Sequence, residues 1–188
     1  MEDKTLEMSD VDTVQGDEET IESKPESSII SSPLSGYADE LKTVPDEAFA
    51  AGMMGLGAVV TPTEKNVRAP EDGEVSFISE NGQEIGFRTE SGVELLIHIG
   101  IATKKLNGTG FEILVESGQK LKKRAPMIKL DLEYLKENAS SLVSPVLCLN
   151  LAPGQKIRLM RSGRIRAGEA LFEIHADDGK TNLSLSNF

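Results

Sequence analysis

Ser91-Gly92-Val93-Glu94-Leu95-Leu96-Ile97-His98-Ile99-Gly100-Ile101 is the most apolar run of the chain, and a single histidine sits inside it. Strict alternation places Val93, Leu95, Ile97, Ile99 and Ile101 on one face, as expected of a strand packed on a core. The other face carries Glu94, Leu96, His98 and Gly100. Ser91-Gly92 reads as a two-residue hairpin turn, which makes Gln83-Glu84-Ile85-Gly86-Phe87-Arg88-Thr89-Glu90 the partner strand. With that turn, Phe87 is expected opposite Leu96, Ile85 opposite His98 and Gln83 opposite Gly100. Ile85, Phe87, Leu96 and His98 would then share a face, with Gln83 on the diagonal from His98, roughly 7–8 Å away at the backbone. Gly100, having no side chain, would leave one flank of the imidazole open.

Outward from this hairpin the chain is cut repeatedly by turn residues: Ala69-Pro70-Glu71-Asp72-Gly73, Glu80-Asn81-Gly82, Asn107-Gly108-Thr109-Gly110 and Ala152-Pro153-Gly154. Ala58-Val59-Val60-Thr61-Pro62 is a short strand closed by proline. Closely spaced short strands of this kind predict an all-β, antiparallel sandwich or barrel. Two short helices are expected, one through Asp46-Glu47-Ala48-Phe49-Ala50-Ala51 and one through Leu132-Glu133-Tyr134-Leu135-Lys136-Glu137-Asn138. A weak repeat links Ser117-Gly118-Gln119-Lys120-Leu121-Lys122 and Pro126-Met127-Ile128-Lys129-Leu130 to Ser162-Gly163-Arg164-Ile165-Arg166 and Ala170-Leu171-Phe172-Glu173-Ile174. Each half reads as a glycine turn, a basic strand, a second turn and an apolar strand, which suggests a duplicated all-β unit.

Of the 188 residues, the first 28 carry ten acidic and two basic side chains and no aromatic one. Such a segment cannot bury enough apolar surface to offset its ordering entropy, so 1–28 is expected to be a disordered acidic tail. Residues 29–178 form the expected domain, and 179–188 a flexible C-terminal tail. The formal net charge of −11 argues against a nucleic-acid partner, whose phosphates call for Lys and Arg. One cysteine excludes an internal disulfide framework and a cysteine-based zinc site. The acidic start has no secretory pattern, and no run reaches the roughly 18 apolar residues of a membrane helix. A cytoplasmic protein is expected.

The run Gly92-Val93-Glu94-Leu95-Leu96-Ile97-His98-Ile99-Gly100-Ile101-Ala102-Thr103, with Met53-Met54-Gly55 and Ala69-Pro70-Glu71-Asp72-Gly73 ahead of it, resembles the glucose-type IIA (EIIA) component of the bacterial phosphoenolpyruvate-dependent sugar phosphotransferase system. The likeness continues through Lys105-Leu106-Asn107-Gly108-Thr109-Gly110-Phe111, Glu116-Ser117-Gly118-Gln119 and Ser144-Pro145-Val146, and covers about residues 31–175. The resemblance implies an antiparallel β-barrel or sandwich, of duplicated hybrid-motif type with short helices. It implies that His98 takes a phosphoryl group from the phosphocarrier protein HPr and passes it to a sugar-specific IIB domain. The IIB/IIC permease would be the only link to a membrane. Gln83 stands at the position of a second family histidine, Ala102 at that of an aspartate, and Arg124 at that of a turn glycine. Asn81, in the turn just ahead of Gln83, and Gly100 are the supporting residues of the expected site.

The residue types suit that chemistry. A phosphoryl carrier needs a neutral imidazole held in one orientation, and a reference pKa of about 6.5 leaves histidine mostly neutral near pH 7. Gln83 can donate a hydrogen bond but cannot become cationic, so accepting a phosphoryl group would survive the replacement better than passing it on. That leaves a second possibility, a regulatory relative that keeps the partner-binding face without completing transfer. A peptidase of duplicated-barrel architecture would need further His and Asp ligands that the chain lacks. No cofactor and no metal are called for. The bland reading of His98 is a satisfied histidine in a half-buried strand. His175 is read as a terminal-strand residue and Cys148 as a small core residue. The Lys120, Lys122, Lys123 and Arg124 cluster is read as a solvated face.

Overall fold

Glycine, proline and Asn/Asp turns divide the described residues, 27–177 of this computed structural model, into fourteen short strands. In chain order these are β1 (Ser27–Ser31), β2 (Gly36–Glu40), β3 (Leu56–Pro62), β4 (Asn66–Arg68), β5 (Gly73–Ile78), β6 (Glu84–Thr89) and β7 (Glu94–His98). They continue with β8 (Phe111–Ile113), β9 (Lys120–Leu121), β10 (Pro126–Leu130), β11 (Ser144–Cys148), β12 (Gln155–Leu159), β13 (Gly163–Ile165) and β14 (Ala170–Ala176). Both expected helices form, as α1 (Glu47–Ala50) and α2 (Leu132–Asn138). The side chains of Asp46 and Asp131 cap them by accepting first-turn N–H groups. The acidic and C-terminal tails lie outside the described residues, and β1 already begins at Ser27. Among the described residues no helix is long and apolar enough to cross a membrane.

Every strand pairing is antiparallel, in one eight-stranded and two three-stranded sheets. The large sheet runs β13-β2-β3-β11-β7-β6-β5-β9, and the small ones run β1-β14-β12 and β4-β10-β8. The weak repeat has a structural counterpart in this order. Its two basic strands, β9 and β13, occupy opposite edges of the large sheet, and its two apolar strands, β10 and β14, are the centres of the two small ones. The turns between them match as well. Arg124 N–H donates to Ala69 O while Gly168 N–H donates to Ser32 O, each at 2.8 Å. Both residues have positive φ, +71° and +91°, so Arg124 holds a conformation that favours glycine. Lys120, Lys122, Lys123 and Arg124 are all exposed, a solvated face as expected, on which Lys122 pairs with Asp72 and Lys123 with Glu71.

The β7 alternation appears as read up to its end. Leu95 and Ile97 join the main core, as do Val93 and Ile99, whereas Leu96 packs in a second cluster with Leu41, Val44, Val59, Ile101 and Leu147. Ile101 departs from the expected face because Gly100, at φ +67°, turns the chain and breaks the alternation. Cys148 is buried in the main core.

The hairpin register differs from the expected one by a residue. Thr89 N–H donates to Val93 O at 2.9 Å, so Glu90, Ser91 and Gly92 all lie in the loop, with Gly92 at φ +82°. This is a three-residue hairpin with glycine in the left-handed position, not a two-residue turn. Glu84 therefore stands opposite His98, Ile85 opposite Ile97, Gly86 opposite Leu96 and Phe87 opposite Leu95. Ile85 and Phe87 belong to the main core rather than to the His98 face. Gln83 meets Ile99, whose N–H donates to its carbonyl at 2.8 Å, and not Gly100. Burial explains the choice. This register lets two alternating strands put their apolar residues on one side of the sheet; the expected one would set Ile85 and Phe87 on the face of His98.

Candidate functional site

His98 closes β7 on the face of the large sheet covered by α1. Asp46 orients that helix by accepting Ala48 N–H and Phe49 N–H at 3.0 and 3.1 Å. Phe49 consequently meets the imidazole edge-to-face, with 5.1 Å between ring centres and 62° between planes. The histidine side chain keeps only 14% of its surface exposed.

The hydrogen bonds around the ring set its chemistry. Nδ1 lies 2.8 Å from Gly100 O, and a carbonyl can only accept, so Nδ1 carries the proton. In the neutral ring the free lone pair is then on Nε2. The Gly100 carbonyl is itself held in place: Gly100 N–H donates to Ser144 Oγ at 3.1 Å, and Ser144 Oγ–H donates to Leu142 O at 2.8 Å. Thr103 Oγ–H donates to Ile99 O at 2.8 Å, and Ile101 N–H to Ser141 O at 2.8 Å, which pins the chain on both sides of the turn.

Gly100 is thus needed for a different reason from the one expected. A Cβ there would come within 2.8 Å of Ser141 O and of Thr103 Cγ2, so glycine is required by the backbone turn and by the packing, rather than to open a flank of the ring. Ala102, two residues on, holds φ +57° and is exposed, a left-handed conformation that aspartate tolerates better than alanine.

Two carboxylates bear on the imidazole. Glu84 Oε1 is 3.5 Å from Nε2, and Asp46 acts from the helix cap. Burial nevertheless dominates and pushes the imidazole below its ordinary 6.5, against the opposing pull of Glu84, the Gly100 carbonyl and Asp46. The ring is neutral at pH 7.

Gln83 is buried, and its Oε1 has no hydrogen-bond partner among the described residues. Asn81 lies against Gly108, with no hydrogen bond to His98. His175 is on β14, opposite Ser27 and Lys156, in a different sheet. Sequence reasoning missed Glu84, Phe49, Asp46, Ser144 and Thr103. A signal for Glu84 was present in Gly92, because a glycine at the third loop position is the mark of the longer turn.

The sequence profile of the family described as "phosphoenolpyruvate-dependent sugar phosphotransferase system, EIIA 1" matches residues 28–153. A glucose-specific EIIA component of Staphylococcus epidermidis is 39% identical over 140 residues, 74% of this chain and 84% of that protein. A glucoside-specific EIICBA component of Staphylococcus carnosus is also 39% identical, over 164 residues and 87% of this chain, which spans only 24% of that larger protein. Among solved structures, glucose permease IIA from Mycoplasma capricolum superposes with a TM-score of 0.73 at 28% identity, covering 78% of this chain and 95% of that one. With its antiparallel sheets and its histidine at the end of β7, the chain belongs to the EIIA 1 family of the phosphoenolpyruvate-dependent sugar phosphotransferase system.

Proposed function

We propose that this protein is a cytoplasmic phosphoryl carrier that accepts a phosphoryl group from phosphorylated HPr on His98 Nε2 and passes it to a sugar-specific IIB domain. The observation that carries the reading is the Nδ1–Gly100 hydrogen bond, which leaves Nε2 as the nucleophile of a neutral ring. The Nε2 lone pair forms the new N–P bond as the donor's P–N bond breaks, with that electron pair returning to the donor nitrogen. Nδ1 keeps its proton throughout, and the Gly100 carbonyl stabilises the positive charge that the ring gains. Positioning accounts for most of phosphoryl-transfer catalysis, and Phe49 and the Ser144-anchored turn supply it here. The fused EIICBA relative, by its name, joins an A unit to B and C units in one chain, which supports the permease as the receiving partner.

Incubation with phosphoenolpyruvate, the first enzyme of the system and HPr should give an acid-labile phosphohistidine. The label should vanish in His98→Ala and persist in His175→Ala; labelling that survives His98→Ala overturns the assignment. A regulatory reading, in which the protein takes up phosphate without passing it on, draws on Gln83, which cannot supply a cation. Measured transfer to a cognate IIB domain separates the two.

A further inference from the structure

The residue directly across the hairpin from the reacting nitrogen is an acid. Glu84 pairs with His98 in register, and its Oε1 lies 3.5 Å from Nε2. A carboxylate suits a protonated imidazole and opposes a phosphorylated one. With the ring neutral, no proton lies between Nε2 and Oε1, because the only ring proton points at Gly100 O. The strand holds Glu84 there: its N–H donates to Ser79 Oγ at 3.0 Å and its carbonyl accepts from Ser79 N–H at 2.9 Å. Among the described residues, the ionisable side chains that bear on His98 are Glu84 and Asp46, both acids.

We propose that Glu84 is a further catalytic residue of this site, whose carboxylate repels the phosphoryl group bound at His98 Nε2 and so favours its release to the next acceptor. The inference rests on the phosphocarrier reading. It assigns to Glu84 the setting of the transfer potential of phosphorylated His98. Making the N–P bond places a dianionic phosphoryl group beside a fixed negative charge; breaking it, with the bonding pair returning to Nε2, removes that repulsion. At separations near 4 Å two unit charges fully in water shift an equilibrium roughly fivefold, a dianion more, and exposure of the Glu84 side chain keeps the expected effect to roughly three- to tenfold. Added salt reduces it further.

The test uses the full-length protein and its Glu84→Gln variant, which keeps the shape and removes the charge. Each is equilibrated with a fixed ratio of phosphorylated to free HPr, and the phosphorylated fraction of His98 is read by ³¹P NMR at low and at high salt. The expected result is a phosphorylated-to-free ratio about three- to tenfold higher in Glu84→Gln at low salt, with the gap narrowing as salt is added. Glu84→Asp should stay near the wild type. An unchanged or lower ratio in Glu84→Gln, or a rise that salt does not diminish, overturns the proposal. Failure of HPr to label the wild type would overturn the phosphocarrier reading instead. Glu84 would then be decided with phosphoramidate as a small-molecule donor, by the same comparison of His98 occupancy. A His98 inert to both donors refutes both statements.

Discussion

Replacing Gly100 by alanine tests whether the turn after β7 is what holds His98 in its reactive form. The residue sits at φ +67°, where alanine costs about 1–2 kcal/mol relative to an ordinary conformation. Its Cβ would come within 2.8 Å of Ser141 O and Thr103 Cγ2, so two neighbours must move. Overpacking of this kind adds about 1–3 kcal/mol. Ser141 O is also the acceptor of Ile101 N–H at 2.8 Å, so moving it strains the same turn. The expected loss of stability is about 2–5 kcal/mol, or roughly 4–20 °C in Tm for a domain of this size. Gly92→Ala is the control: φ is +82°, but no atom lies within 4 Å of the new Cβ, so only the backbone cost applies. Thermal melts of the three proteins should therefore rank wild type, Gly92→Ala, Gly100→Ala. The functional consequence follows from the displaced carbonyl. Its hydrogen bond to Nδ1 contributes about 1 kcal/mol, so acceptance of phosphate from HPr should slow about fivefold at a temperature where the variant is folded. NMR of the His98 ring nitrogens should show the Nε2-protonated tautomer gaining population. If Gly100→Ala melts together with Gly92→Ala, or keeps both its tautomer and its rate, the turn is not what positions the ring.

Two further outcomes are expected. Burial lowers the His98 pKa, so an NMR titration should place its midpoint below 6.5. The sign is fixed by linkage: between the folded midpoint and 6.5 the unfolded chain binds more protons, so stability falls as pH drops through that window and the Nε2 nucleophile survives below pH 6.5; a midpoint above 6.5 contradicts this. Gln83 pairs with Ile99, whose side chain lies in the core. The roughly tenfold gain in onward transfer to a IIB domain that a charge-assisted bond from Gln83→His would give therefore requires the new imidazole to turn to the His98 face, and acceptance from HPr should change less. Single-turnover measurements of the two steps decide it, and an unchanged onward rate would make buried Gln83 a spacer.

What the sequence determined by itself was local. Alternation from Val93 to Ile99 settled which side chains of β7 enter the core, since successive side chains of a strand point to opposite faces whatever their partner. Turn residues likewise announced the many short strands, and the segments 46–51 and 132–138 announced α1 and α2, whose caps Asp46 and Asp131 the structure added. The His98 position was legible from its motif. Its surroundings were not, because they depend on pairings between separate segments. One extra loop residue, closed by the Thr89–Val93 hydrogen bond, left the pattern within each strand intact and changed every pair across the hairpin. That shift brought Glu84 to Nε2 and sent Ile85 and Phe87 into the core. Phe49 and Ser144 reach the site from segments far along the chain, brought there by α1 covering the sheet and by β11 pairing with β7. Such contacts form only when the whole sheet closes, because the burial that stabilises them belongs to the assembled core and to no single segment.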